Sequence, residues 1–354
     1  MRIAAILIAA VLLSACAGAP LNPYIPGPDA PVWPAAPETP RVQYVTSITR
    51  PGDLYEPGNF LSSVIGIVAG EEDNRMVRPY AVVPYSGGGL VVTDPGLGRV
   101  HLYDAERRRY RALGEDLEGG LPSPVGVAVA PDGTILVADS RRRTIERFDR
   151  NGRSLGAFAK DYEFQRPGGM AIHPDTGRIY ATDITRHSVV VFTPGGEVEK
   201  VLGGNGAAPG EFNFPTHISF DAEGSLLVAD SMNFRIQRIS AAGEVLSVYG
   251  EAGNARGDFA RPKGIASPAG GVYAAVEGLY DSLVFFNEDG ELLMSLGQAG
   301  AEKGQFWLAA GLHADRERNL IFVADTYNSR VQVFRMLSTN DGGGGEPTQE
   351  GEQP

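Results

Sequence analysis

Val228-Ala229-Asp230-Ser231-Met232-Asn233-Phe234-Arg235-Ile236-Gln237 recurs as Val323-Ala324-Asp325-Thr326-Tyr327-Asn328-Ser329-Arg330-Val331-Gln332. Both stretches run an apolar strand into a single acid, turn, and leave along a strand that alternates polar and apolar residues. Alternation at period two marks a half-buried strand. The same element closes on Asp94, Asp139, Asp183 and Glu277, so six acids follow one another at steps of 45, 44, 47, 47 and 48. Self-similarity at a fixed period of this size indicates a repeat architecture, not a row of unrelated domains.

Upstream of each acid lies another short apolar strand. Val125 to Val129 is an example, closed by the turn sequence Pro131-Asp132-Gly133. The linkers repeat as well. Gly203, Gly206 and Gly210-Glu211-Phe212 match Gly250, Gly253 and Gly257-Asp258-Phe259, then Gly297, Gly300 and Gly304-Gln305-Phe306. A Gly-rich loop that opens a helix can cradle phosphate. Here strands follow and the loop recurs at a fixed step, so it reads as architecture, with each Phe wedged between neighbouring units. Four short strands per repeat of about 45 residues is the arithmetic of a β-propeller blade. The expected fold is all-β, a six-bladed β-propeller. A content of 46 Gly and 25 Pro suits its many tight turns.

The decapeptides at 228 and 323 resemble the NHL repeat, and the resemblance extends over about 78–337. It is tightest in blades 4 and 6. Blade 5 departs from it, with Glu277-Gly278 for Asp-Ser and Ser282 for Arg. The resemblance implies a propeller that either binds or catalyses, since NHL-like propellers include an amidating lyase whose channel histidines hold zinc. Fold alone does not choose.

The chain ends read differently. Arg2 precedes eleven unbroken apolar residues, too few to span a bilayer as a helix. Leu13-Ser14-Ala15-Cys16 then resembles the bacterial lipobox, so 1–15 reads as a lipoprotein signal peptide and Cys16 as the lipidation site. Ala17, where Asp favours inner-membrane retention, points to the outer membrane. Eight prolines fall within 17–40, so 16–40 is expected to be a lipidated, Pro-rich tether. The polar, Gly-rich stretch 338–354 is expected to be a disordered tail. The propeller is then 41–337. With one cysteine the chain forms no internal disulfide. A net charge of -12 disfavours non-specific binding to nucleic acid or to an anionic membrane surface.

We letter the strands of each blade a to d from the channel outward. Blade 6 runs out of chain after strand c. The isolated strand Val42 to Ile48 is expected to supply its strand d and close the ring. That places 49–77 as an insertion on the upper face, where d–a and b–c loops lie. Within it, apolar residues over 59–68 have near-helical spacing, fitting a cap over the channel or a docking segment.

Candidate functional residues follow from breaks in the repeat. The first residues of strand a place Ala81, Gly126, Gly169, His217, Gly264 and Gly311 at one equivalent position. Five are small, and His217 is expected to project into the channel on the upper face. Neighbours there include Tyr80 and Lys263, with His187 in the adjoining b–c loop. Arg141, Arg142 and Arg143, with Arg186, form a basic spot suited to an anionic partner. His173 and His313 are placed in a–b turns on the lower face, and His101 on an outer strand. The repeated acids are read as structural, accepting backbone N–H groups and pairing with Arg99, Arg235 and Arg330 five residues on. No catalytic residue, metal site or cofactor is assigned, because a catalytic zinc takes three protein ligands and at most two histidines reach this face. The expected function is a monomeric, outer-membrane-anchored scaffold binding a protein or glycan on the upper face, touching membrane only through its lipid. The alternative is a channel-centred, metal-dependent lyase or hydrolase.

Overall fold

A computed structural model describes residues 24–55, 74–253 and 258–337. The signal segment, Cys16, the apolar series at 59–68 and the tail lie outside the described residues. Six antiparallel sheets form a ring, each ordered a-b-c-d from the channel outward. Blade 4, for example, is Pro215–Phe220, Leu226–Asp230, Arg235–Ile239 and Val245–Tyr249. Among the described residues no helix is long and apolar enough to cross a membrane.

The ring closes as the patterning requires. Val42–Ile48 pairs antiparallel with Arg330–Met336, from Val42 opposite Met336 to Ile48 opposite Val331. A further strand, Val32–Trp33, pairs outside it. This corrects the expectation of a tether through residue 40. Tyr24 is buried, donates its hydroxyl to Gly88 O at 2.7 Å, and meets Phe322 edge-on at 5.4 Å. Trp33 packs against Phe334 and over Gly304. Two aromatic rings among the prolines carry enough apolar area to draw 24–40 onto the propeller.

Apolar packing falls into six clusters, one at each boundary between blades. The cluster between blades 6 and 1 contains Val45 and Ile48 of the closing strand together with Tyr24. Strands turn one face to each neighbouring blade, so apolar residues appear on both faces of the inner strands. The Gly-rich linkers are architectural. Phe212, Phe259 and Phe306 are buried, and each ring occupies the space that a side chain at Gly203, Gly250 or Gly297 would need. Glu211 folds back over Gly206 to accept the N–H of Ala208.

Blade 6 brings a second correction. Its innermost strand is Leu312–Asp315, so Gly311, expected within strand a, precedes it. His313 therefore stands on the channel wall and not in an a–b turn.

Candidate binding site

The repeated acids organise the upper face. Asp139 accepts the N–H groups of Ser123, Arg141 and Arg142, and Asp183 those of Gln165 and Arg166. Each carboxylate thus ties its b–c turn to the residues that lead into strand a. Asp230 also accepts from the side chains of Asn233, Arg235 and Gln237, and Asp325 from Asn328, Arg330 and Gln332. Arg235 continues to the carbonyls of Ala207, Ala208 and Glu211, so it brackets the Gly-rich loop. Arg99 does not follow the expected pairing. It faces Glu115 at 3.8 Å, and His101 approaches Asp94 instead, at 3.4 Å. His101 occupies the place that Gln237 and Gln332 hold in their blades, because the acid needs a buried donor there.

The same logic corrects the basic spot. Arg142 donates to Glu146 and to the carbonyls of Glu118 and Gly120. It is the blade-2 equivalent of Arg235, an internal bracket. Arg143 donates to Phe164 O, and Arg186 lies over the Tyr162 ring at 5.2 Å and near Asp183. Three of the four arginines of the expected basic patch are thus engaged within the protein. His187 is also committed. Its Nδ1 accepts the N–H of Phe214 at 3.2 Å, and its ring meets the Phe214 ring at 4.6 Å.

The residues that do converge are Tyr80, His217 and Lys263. Blades 1 and 4 lie opposite each other in a six-membered ring, and Tyr80 and His217 stack across the channel with centroids 5.4 Å apart and planes at 29°. Together they plug its upper end. Lys263 of blade 5 lies beside them, its stem packed where a side chain at Gly278 would sit, 2.9 Å from that virtual Cβ. The glycine at position 278 is therefore the condition for this lysine. The small residues of the first layer are required by neighbouring backbone more than by the channel. A Cβ on Gly169 would stand 2.6 Å from Thr216 O, and one on Gly264 2.6 Å from Ala310 O.

Below the plug lies a cavity of about 540 Å³, lined by His217 above and by His313, Asp315 and Glu317 further down. Arg316 spans its lower part, donating to Phe220 O at 3.1 Å. His173 lies outside this lining; its Nδ1 accepts the N–H of Asp175. Both ring nitrogens of His217 are buried without a hydrogen-bond partner among the described residues. Among the described residues no three His, Cys, Asp or Glu groups gather as a metal donor set.

Desolvation, assisted by the charge of Lys263, holds the His217 pKa down at about 3, so the ring is neutral at pH 7. Desolvation likewise holds His313 at about 4, against the opposing pull of Asp315. Between the ordinary histidine value near 6.5 and these values, the unfolded chain binds protons that the folded chain does not. Stability should therefore fall as pH drops from 6.5 towards 4. Thermal denaturation of His217→Gln with His313→Gln should show a shallower acid slope than the parent. An identical slope would refute this assignment.

The NHL repeat family model matches residues 121–148 and 306–334. The human NHL-repeat-containing protein 4 is 28% identical over 114 residues, which are 32% of this chain and 89% of that protein. Among solved structures, virginiamycin B lyase from Staphylococcus aureus superposes with a TM-score of 0.53 at 14% identity, over 75% of this chain and 97% of the other. An auxiliary nutrient binding protein from Bacteroides thetaiotaomicron gives 0.57 at 13% identity, over 73% and 69%. At these identities the structural likeness is one of fold.

Proposed function

We propose that this six-bladed propeller of NHL repeats is a non-catalytic binding scaffold, held in the bacterial cell envelope by a lipidated Cys16. Its protein or glycan partner sits on the upper face, and the propeller acts as a monomer. The observation that carries this reading is the convergence of Tyr80, His217 and Lys263 at the upper channel mouth. These residues come from three blades and exceed what the repeat requires. A general base works best with a pKa near the operating pH, and His217 is far below it. That favours recognition over proton transfer. The metal-dependent lyase or hydrolase reading called on His187 beside His217, and His187 is bound to Phe214; His313 lines the cavity instead, and among the described residues it gathers with no three-donor set. Leu13-Ser14-Ala15-Cys16 supports a lipid anchor and Ala17 an outer-membrane one, and a charge of -12 argues against nucleic acid as partner.

Cys16→Ser should remain an unprocessed precursor or leave the membrane fraction, while Lys263→Glu should stay in the membrane and fail to retain partners cross-linked in native envelopes. Normal acylation of the serine variant would sink the anchor. Turnover of a substrate at the channel, abolished by His217→Ala, would replace the scaffold with an enzyme.

A further inference from the structure

Three blades carry the same dipeptide at the entry to strand a: Arg78-Pro79 in blade 1, Arg166-Pro167 in blade 3 and Arg261-Pro262 in blade 5. Strand a is innermost and begins at the upper face, so these positions lie on the rim of the channel mouth. Alternate blades of a six-membered ring are related by about one third of a turn. The three arginines therefore surround the mouth with approximate threefold symmetry.

Their backbone is fixed. The N–H of Arg78 donates to Asp94, that of Arg166 to Asp183 and that of Arg261 to Glu277. All three residues are exposed. Arg78 lies over the Tyr327 ring at 5.4 Å, an arrangement that leaves the N–H edges of a guanidinium open. Burial raises the Tyr80 pKa, and the charges of Arg166 and Arg261 oppose that rise. Lys263 feels Arg261, and burial with this neighbouring cation lowers its pKa. The nearby acids are already engaged. Glu277 accepts the N–H groups of Ala260, Arg261 and Leu279, and Asp281 accepts that of Leu308. Three exposed guanidinium groups and Lys263 thus stand at the rim of the mouth, above buried carboxylates whose lone pairs are taken up by backbone N–H groups.

Beside Arg78, Trp307 and Tyr327 form an exposed aromatic pair, 53% and 44% accessible, with centroids 5.6 Å apart. Cations and an aromatic platform together define a ligand with an anionic head and a flat, partly apolar body.

We propose that the upper mouth binds a sugar phosphate, with the phosphate monoester held by Arg78, Arg166, Arg261 and Lys263 and the sugar ring laid on Trp307 and Tyr327. Guanidinium binds phosphate oxygens through paired N–H donors, and three blades each supply one at the rim. The sugar presents an apolar face to the aromatic pair. This rests on the scaffold reading above and names its ligand.

Calorimetric titration with glucose 6-phosphate, inorganic phosphate and glucose tests the proposal. Glucose 6-phosphate should bind more tightly than phosphate, and glucose should bind weakest. The double change Arg166→Gln with Arg261→Gln should weaken both phosphate ligands by more than about tenfold, since each lost charged hydrogen bond is of that order. Trp307→Ala should weaken glucose 6-phosphate selectively and leave phosphate unchanged. Arg153→Gln, on the opposite face, should alter neither, and equal melting temperatures would show that each variant is folded. Retention on beads carrying the sugar phosphate through its anomeric carbon indicates the end of an envelope glycan. Binding of the free compound without retention indicates a soluble metabolite. Either result supports the sugar-phosphate chemistry. Absence of heat at millimolar glucose 6-phosphate, or undiminished binding by the Arg166/Arg261 double variant, overturns it. The scaffold reading survives that failure if envelope partners still bind the parent protein and are lost from Lys263→Glu.

Discussion

Deleting residues 41–48 is expected to lower the melting temperature by more than about 10 °C or to leave the protein insoluble. Val42, Tyr44, Val45 and Ile48 are all buried in the strand that closes blade 6. At about 1.5–3 kcal/mol per fully buried side chain, their loss is on the order of 6–12 kcal/mol. That is comparable with the whole stability of an ordinary domain, about 5–15 kcal/mol. The deletion also exposes Arg330–Met336 as an unpaired edge, a template for aggregation. Two clusters would be opened at once, because Val45 and Ile48 pack between blades 6 and 1 and Val42 and Tyr44 between blades 5 and 6. Scanning calorimetry and gel filtration measure the effect. A variant that melts within about 2 °C of the parent would show that the ring does not depend on this closure.

Asp325→Ala comes next in expected size. The carboxylate is fully buried and accepts the N–H of Trp307 and the side chains of Asn328, Arg330 and Gln332. Removing it leaves the guanidinium of Arg330, 11% exposed, beside an empty place. Breaking such a pair from one side costs up to about 3–5 kcal/mol: Arg330 keeps the carbonyls of Ala301, Glu302 and Gln305 but loses its counter-charge, and the N–H of Trp307 and the side chains of Asn328 and Gln332 each lose an acceptor. Glu277→Ala should cost less. Blade 5 has Ser282 where blades 4 and 6 have Arg235 and Arg330, and among the described residues Glu277 holds backbone N–H groups without an ion pair. Urea denaturation of the two variants gives the order directly. Equal losses would mean that the arginine contributes nothing beyond the backbone bonds.

The sequence by itself determined the repeat, the six blades and the identity of the closing strand. Periodic acids, alternating strands and turn residues are local signals, and each recurs often enough to be read without neighbours. It also placed His217 as the break in its layer, because a large polar residue stands where five equivalents are small. Only the tertiary structure decided which cations are free. Arg142 and Arg235 differ in local sequence, yet both bracket the preceding loop, and the carbonyls that they bind lie more than twenty residues away. The Arg-Pro dipeptides at 78, 166 and 261 were visible as text, but their meeting at one rim depends on ring geometry. The folding of 24–40 onto the body was hidden for a related reason. Proline density suggests an extended chain, whereas the outcome is set by where Tyr24 and Trp33 find partners, on Phe322 and Phe334 about three hundred residues away. Burial and charge pairing are properties of distant neighbours, and those neighbours exist only once the ring has closed.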